Sequence, residues 1–177
     1  MVRLGDICNI IVGGEPPEFV SKAKNADYPY PIWGNGKEVY GYSKNYQVDK
    51  DSVAISSIGA NTGAIFFHNA KFTPIIRLKV LELKNDDILS RYLFFACHLI
   101  EFNSKKSSVP NMSAADIKNK TIPIPSLSEQ ERIVAILDKF DALVNDLSQG
   151  IPAEIEARKK QYEYYRDKLL NFKSKVA

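Results

Sequence analysis

The C-terminal part of the chain, from Thr121 to Phe172, contains two stretches of helical periodicity separated by a Gly-Ile-Pro break at residues 150–152. Each stretch has one apolar stripe and is otherwise rich in charged side chains. Such a helix is marginal by itself in water, because most of its stability comes from burying the apolar stripe. The region therefore predicts two long helices that pack on each other or on a partner.

The first stretch begins with a helix start signal at Ser128. The Ser128 hydroxyl can accept a hydrogen bond from the N–H of Glu131, whose carboxylate can reach back, so Ser128 is the predicted N-cap. Apolar residues then recur at alternating steps of four and three, namely Ile133, Leu137, Phe140, Val144 and Leu147. This spacing is typical of an amphipathic or coiled-coil helix.

The second stretch follows a residue pair suited to a helix boundary. Gly150 tolerates the positive φ of a helix C-terminus, and Pro152 suits the first turn of a new helix. Residues 126–150 carry five acidic and two basic side chains, whereas residues 151–177 carry four acidic and seven basic ones. Opposite charges favour pairing of the two helices, within one chain or between chains, and salt weakens that preference.

Two runs in this region resemble the conserved helical region of DNA specificity subunits of type I restriction-modification systems. They are IPIPSLSEQERIVAILD at residues 122–138 and IPAEIEARKKQYEYYR at residues 151–166. The segments VRLGDI at residues 2–7 and VAISSIGANTG at residues 53–63 are similar to the target-recognition domains of the same family. Subunits of that family usually carry two recognition domains, each followed by a helical region. The chain has one of each and so resembles half a subunit.

The resemblance implies an α+β fold: a mixed α/β target-recognition domain over residues 1–125, then two long helices over residues 126–177 that form a coiled-coil-like spacer. It implies a non-catalytic subunit that recognises half of a bipartite target in double-stranded DNA. The helices would dock modification methyltransferase subunits and, indirectly, the restriction and motor subunit. S-adenosylmethionine, Mg and ATP are then expected on partner subunits, and no cofactor is expected in this chain.

A single recognition domain implies that two copies pair through their helices, which would make the DNA target two-fold symmetric. The interface residues expected from the resemblance and from the apolar rows of the second stretch are Ile155, Arg158, Tyr162, Tyr165, Leu169 and Phe172. Packing of the second helix on the first within one chain is the alternative for these residues. Pairing with a different half subunit, and origin as a fragment of a longer subunit, are alternatives to the homodimer.

The first 125 residues show short strand and helix patterns without a whole-domain repeat. A hairpin is expected around the GANTG turn at residues 59–63, and Ser113 with Asp116 predicts a capped short helix. Further elements are expected as strands at residues 10–12 and 75–83 and a helix at residues 88–102. The pattern predicts a mixed α and β domain.

The sequence lacks the motifs of the enzymes that work beside such a subunit. The segment NADYPYP at residues 25–31 does not have the Asn/Asp-Pro-Pro-Tyr/Phe order of an amino-methyltransferase, and no Gly-rich methyl-donor turn or Walker phosphate loop is present. His68 and His98 lack neighbours that would suggest a triad or a metal site. We therefore predict no enzymatic activity, and structural roles for both histidines.

Composition and cysteine usage indicate a reducing compartment. Cys8 and Cys97 lie far apart in apolar settings, which favours two reduced core thiols in a cytoplasmic protein. The longest apolar window is too short to span a bilayer, so membrane insertion and secretion are not expected. The net charge of +3 permits nucleic-acid binding without requiring it.

Three polar loops carry side chains that suit a DNA duplex. Lysines can neutralise phosphates, while Asn, Ser and Thr can reach base edges in the major groove. The candidate DNA-binding residues are Lys37, Tyr42, Ser56, Ser57, Asn61, Thr62, Lys105, Lys106, Ser107 and Asn111. The alternative is that these residues only form turns and keep the surface soluble. The rival function is a helical assembly module whose first domain binds protein and does not contact DNA.

Overall fold

The structure, a computed structural model, describes residues 1–102 and 112–142 together with residues 154, 156, 160, 161 and 164. Contacts divide the chain into two compact units, Met1–Val134 and Ala135–Ala177. The break predicted at residues 150–152 lies outside the described residues. Among the described residues, no helix has the length and apolar character needed to cross a lipid bilayer.

The elements of the first unit are short, and most of them are strands. In chain order they are β1 (Val2–Arg3), α1 (Leu4–Ile7), β2 (Cys8–Val12), β3 (Tyr30–Trp33), β4 (Val39–Ser43), β5 (Ser52–Ile55), β6 (Ile65–His68), β7 (Thr73–Pro74), β8 (Lys79–Leu83), α2 (Ser90–Cys97), α3 (Ala114–Lys118) and β9 (Thr121–Ile122). A further helix, α4, includes residues 127–142. The predicted α+β character of the chain is confirmed.

A four-stranded antiparallel sheet with the order β2-β8-β5-β6 forms the centre of the first unit. A second sheet has the order β4-β3-β7, in which β7 runs parallel to β3. The terminal strands β1 and β9 pair antiparallel, so the segment that precedes α4 is joined to the start of the chain. Leu4 strengthens this closure because its N–H donates to the carbonyl of Lys120 at 2.8 Å.

The central sheet is buried on both faces because its strands alternate apolar side chains toward two clusters. Val53, Ile55 and Leu81 belong to a large cluster with α1, α2 and α3, whereas Ala54 and Val80 belong to a smaller cluster on the other face. The smaller cluster includes Val48, Phe72 and Leu78, with Trp33 packed against it. The sheet is thus the middle layer of the first unit.

Local turn and cap signals in the sequence correctly predicted several elements. The hairpin of β5 and β6 forms around residues 56–64, and Ser113 and Asp116 make a reciprocal capping box at the start of α3. Helix α2 is shorter than the predicted 88–102 segment, since it spans Ser90–Cys97. Strand β8 begins at Lys79 rather than at residue 75, because the chain makes a turn over residues 75–78.

Helix α4 begins earlier than predicted, so Ser128 is not its N-cap. Helical structure starts at residue 127, and the carbonyl of Ser126 accepts hydrogen bonds from the N–H groups of Glu129 and Gln130, both at 3.0 Å. The expected Ser128–Glu131 capping box therefore does not form. The prediction failed because Ser126 and Ser128 are each followed by a glutamate three residues later, so the local signal does not distinguish them. The buried contacts of Gln130 fix the start of the helix at Ser126.

Gln130 is fully buried and ties α4 to the rest of the first unit. Its side-chain oxygen accepts from the N–H of Leu89 at 3.0 Å, and its amide nitrogen donates to the carbonyls of Asp87 and Pro125, both at 3.1 Å. Leu89 is the N-cap residue of α2 and has no side-chain cap of its own. Gln130 thus bonds the backbone N–H of this N-cap residue and holds the starts of α2 and α4 together.

His68 is a buried histidine whose titration should make stability sensitive to acid. It stacks on Trp33 with ring centroids 4.3 Å apart, and burial lowers its pKa to about 4. Because the folded pKa lies below the unfolded value near 6.5, the stability that neutral His68 contributes is complete above pH 6.5 and is lost as pH falls through about 4. We expect a loss of up to about 3 kcal/mol over that interval.

The measurement is urea unfolding at pH 7 and at pH 4.5 for the wild type and for His68→Phe. We expect the variant to lose less stability between the two pH values. His98→Phe is the matched control, since His98 is exposed and should leave the acid sensitivity intact. An equal pH dependence for the wild type and His68→Phe would contradict a role for His68.

Candidate nucleic-acid interface

Three turns of the first unit meet around the side chain of Asn35. They are residues 34–38 between β3 and β4, residues 56–64 between β5 and β6, and residues 75–78 between β7 and β8. The Asn35 side-chain oxygen accepts from the N–H of Ser57 at 2.9 Å and from the hydroxyl of Ser56 at 3.1 Å. Its amide nitrogen donates to the carbonyl of Ile76. The GNG signal in the sequence therefore marks a connection between turns as well as a turn.

Ser56 and Ser57 support this cluster from inside the protein and do not reach its surface. Both are fully buried, and the Ser57 hydroxyl donates to the carbonyl of Arg77 at 2.7 Å. The prediction that these two side chains contact DNA is therefore corrected. Their hydroxyls hold neighbouring turns in register. This role depends on tertiary packing, which their position in the sequence does not reveal.

The turn between β5 and β6 presents Asn61 at the surface. Gly59 and Gly63 have positive φ values of 78° and 91°, which allow the tight path of this turn. The Thr62 hydroxyl donates to the carbonyl of Gly59 at 2.7 Å, and Thr62 is half-buried. Asn61 is exposed, and its amide nitrogen donates to the backbone carbonyl of Asn35 at 3.1 Å. Asn61 therefore has an oriented side chain at the edge of the cluster.

The turn between β7 and β8 contains two consecutive left-handed residues that are not glycine. Ile76 has φ 51° and Arg77 has φ 60°. Such backbone costs a residue with a side chain on the order of 1–3 kcal/mol and persists only where the surrounding structure holds it. The N–H groups of Ile76 and Arg77 donate to the carbonyls of Gly14 and Gly13 at 2.7 and 2.9 Å. The sequence does not indicate this left-handed path, because residues 75–78 contain no Gly, Asn or Asp.

The segment that carries Lys105, Lys106, Ser107 and Asn111 lies outside the described residues, but both of its ends are on the same cluster. Phe102 lies against Gly63, where an added Cβ would be 2.5 Å from the Phe102 carbonyl oxygen. The N–H of Met112 donates to the carbonyl of Ser57 at 2.9 Å. The chain therefore leaves and re-enters the described structure beside the turn that presents Asn61.

The other predicted site residues are less closely associated with the Asn35 side chain. Lys37 is exposed in the 34–38 turn. Tyr42 is half-buried on β4, opposite Pro31, and its backbone pairs with Ser21. Tyr42 is thus part of the second sheet rather than of the turns. The predicted interface residues of the helical region, Ile155, Arg158, Tyr162, Tyr165, Leu169 and Phe172, lie outside the described residues.

Charged side chains lie on two of the three turns: Lys37 and Glu38 are exposed in the 34–38 turn, and Arg77 is exposed in the 75–78 turn. Arg77 is exposed, and within residues 1–102 and 112–142 no carboxylate forms a salt bridge with it. Lys79 is close enough for the two charges to interact: burial, and then the charge of Arg77, lower the Lys79 pKa. An unpaired cation beside oriented amides is suited to polyanions and to hydrogen-bond acceptors on base edges.

The described residues contain no arrangement for metal or thiol chemistry at this cluster. They include no group of three His, Cys, Asp or Glu side chains that could hold a metal ion. Cys8 and Cys97 are free thiols buried in the large core cluster, and burial raises the pKa of each to about 12. Such thiols are protonated and act as small apolar core groups.

Comparison with known proteins assigns the fold and the sequence to one family. The family model described as the type I restriction modification DNA specificity domain matches residues 1–157. A putative type I specificity subunit of Mycoplasma pneumoniae is 38% identical over 174 residues, which are 96% of this chain and 51% of that protein. The EcoR124I/EcoR124II specificity subunit of Escherichia coli is 36% identical over 195 residues, covering 96% of this chain and 47% of that subunit.

Solved structures agree with the sequence relatives. A chain from a study of assembly and conformational transition of the type I restriction-modification system has a TM-score of 0.68 and 28% identity, covering 92% of this chain and 43% of that chain. The chain thus spans about half the length of these two specificity subunits. Because the family model covers most of the sequence and the relatives are more than 30% identical, the chain belongs to the family of type I restriction-modification DNA specificity domains.

Proposed function

We propose that the chain is a non-catalytic specificity component that recognises one half of a bipartite DNA target. The observation that carries the proposal is the meeting of three turns around Asn35. Asn61 and Arg77 are exposed on two of these turns, and Asn35 is hydrogen-bonded to both turns. Family membership supports DNA specificity as the role of the first unit. Catalysis, with S-adenosylmethionine, Mg and ATP, is assigned to partner subunits.

The proposed DNA-binding set is the predicted one without the two buried serines. Asn61 and Thr62 are proposed to face base edges, because an amide and a hydroxyl can each both donate and accept hydrogen bonds with the groups that a base pair presents. Lys37, Lys105 and Lys106 are proposed to contact phosphates, which position the domain without reading sequence. Tyr42, Ser107 and Asn111 remain as flanking candidates.

The helical region is proposed to pair two copies of the chain and to dock modification methyltransferase subunits. Support comes from two open apolar side chains of α4: Phe140 of the predicted stripe is 60% exposed, and Ile136 is 41% exposed. Ile155, Tyr162 and Leu169 would continue this interface in two long helices that form the spacer.

Co-expression tests the proposed function directly. The chain is produced with a candidate modification methyltransferase in a host that lacks other DNA methylation, and the modified motif is determined by sequencing. We expect a bipartite motif whose two halves are related by two-fold symmetry, and two copies of the chain in the purified complex. Complex formation without any sequence-specific methylation or DNA binding would instead favour an assembly module.

Mutation of the proposed base contact and mutation of the proposed phosphate contacts should have different effects on DNA binding. Asn61→Ala should cost roughly 1–3 kcal/mol on the cognate duplex and little on random DNA. Replacing Lys105 and Lys106 together by Ala should weaken binding to every duplex and reduce its salt dependence. Binding isotherms of the assembled complex on cognate and scrambled duplexes at two salt concentrations make this distinction.

Lys118→Ala is the control for loss of an exposed lysine, because Lys118 lies in α3 outside the three turns. It should leave both binding constants unchanged. Unaltered affinity and specificity in both the Asn61 and the double-lysine variants would show that these turns face away from DNA.

A further inference from the structure

The turn formed by Ile76 and Arg77 is exposed at the surface of the first unit and has a constrained backbone. All four of its backbone polar groups are partnered: the two N–H groups bond to Gly14 and Gly13, and the two carbonyls accept from Asn35 and Ser57. The partners come from three different segments of the chain. The left-handed path is therefore held by backbone hydrogen bonds to the surrounding structure.

The two side chains of this turn are presented to solvent from a fixed backbone. Ile76 is 42% exposed although it is a β-branched residue in a left-handed conformation, and Arg77 is exposed beside it. A rigid backbone fixes where each side chain begins and so narrows the positions that its donors can reach, which favours recognition of a base edge. A mobile surface lysine is suited instead to the less directional contact with phosphate.

The chemistry of the turn matches the edge of a guanine. Arg77 offers the planar fork of donors that fits the O6 and N7 acceptors of guanine in the major groove, and no carboxylate among the described residues occupies that fork. The exposed apolar surface of Ile76 suits the methyl group of a neighbouring thymine. The turn is joined through Asn35 to the turn that presents Asn61.

We propose that the Ile76–Arg77 turn is a sequence-reading element, in which Arg77 determines specificity for a guanine of the half-target. The inference rests on the proposed function and adds to it a residue that sequence patterns did not indicate. It also separates two kinds of cation: Arg77 reads a base, whereas the lysines of the neighbouring loops contact phosphates.

The test compares Arg77→Lys with the wild type in the complex of the full chain and its modification methyltransferase. The substitution keeps the charge and loses the bidentate fork, so a base contact and a phosphate contact respond differently. Because the hydrogen bonds of the turn use backbone atoms, we expect an unchanged melting temperature. Arg3→Lys is the matched control, since Arg3 is an exposed arginine already paired with Asp6 at 2.9 Å.

Fluorescent duplexes carry the methylated motif or variants with one G·C pair at a time replaced by A·T. We expect Arg77→Lys to weaken cognate binding roughly 5- to 150-fold, the worth of one bidentate base contact, and to abolish the preference at a single G·C pair. Binding to random DNA and its salt dependence should stay at the wild-type level. The motif methylated in cells should become degenerate at the same position.

Other outcomes overturn the inference in distinguishable ways. A small and equal weakening on cognate and random duplexes, or an unchanged motif with unchanged affinity, would show that Arg77 does not read a base. In either case the wild-type complex still binds its motif, and the proposed function stands. Absence of specific binding by the wild-type complex would remove the proposed function and this inference together.

Discussion

Replacing Gln130 by Leu should lower the free energy of unfolding of the first unit by about 4 kcal/mol. The substitution removes the side-chain partners of the Leu89 N–H and of the carbonyls of Asp87 and Pro125 in a fully buried site. Each buried group left unsatisfied costs about 1–3 kcal/mol, and the similar size of Leu leaves little room for a replacing water. Urea unfolding followed by circular dichroism measures the loss.

Ser128→Ala is the control for this prediction, because Ser128 is exposed on the same helical turn and is not the N-cap. Its effect should stay within about 0.5 kcal/mol. A loss below about 1 kcal/mol for Gln130→Leu would show that the three backbone groups find other partners.

Gln130→Glu should be destabilised in a pH-dependent manner. An ionised carboxylate can accept from Leu89 but cannot donate to the carbonyls of Asp87 and Pro125. Burial beside two carbonyl oxygens should raise the folded pKa of the new side chain above its unfolded value near 4.3. Stability of this variant should therefore be greatest below pH 4.3 and fall as pH rises through the raised pKa, relative to the wild type.

Gly63→Ala should destabilise the first unit by about 3 kcal/mol. Its φ of 91° is unfavourable for a residue with a Cβ, and that Cβ would lie 2.5 Å from the backbone carbonyl oxygen of Phe102. The backbone conformation accounts for about 1–2 kcal/mol and the overpacking for about 1–3 kcal/mol. Because the Phe102 carbonyl cannot rotate away as a side chain would, the backbone at Phe102 must shift.

Gly59→Ala is the matched control for the same turn. Gly59 also has a positive φ, of 78°, but an added Cβ would meet no atom within 4 Å. Its cost should be only the conformational part, about 1–2 kcal/mol. Equal losses for the two variants would mean that the contact with Phe102 contributes nothing to the effect.

Structure that depends on neighbours in sequence was predicted correctly. The hairpin between β5 and β6 needs glycines at positive φ, and the glycines at both ends of residues 59–63 mark it. The capping box of α3 uses Ser113 and Asp116, which are three residues apart. These elements were accessible from sequence because the interacting groups are close along the chain.

Features that depend on distant contacts were missed or wrongly assigned. Ser56 and Ser57 have the composition of exposed turn residues, yet Asn35 and Arg77 cover them from other parts of the chain. Ser126 and Ser128 are equivalent N-caps by local criteria, and the contacts of Gln130 with residues about 40 positions away choose between them. Periodicity and propensity contain no information on such contacts.

The sequence alone determined the family resemblance, the mixed α and β composition of the first unit, and the turns and caps whose groups lie within a few residues of one another. Only the tertiary structure decided which polar side chains reach the surface and which exposed residues share one site. Ile76 and Arg77 are the clearest case, because their left-handed backbone carries no local signal and is held by Gly13, Gly14, Asn35 and Ser57. Long-range hydrogen bonds can stabilise a conformation that local preference opposes, and such a conformation is visible only once the chain has folded.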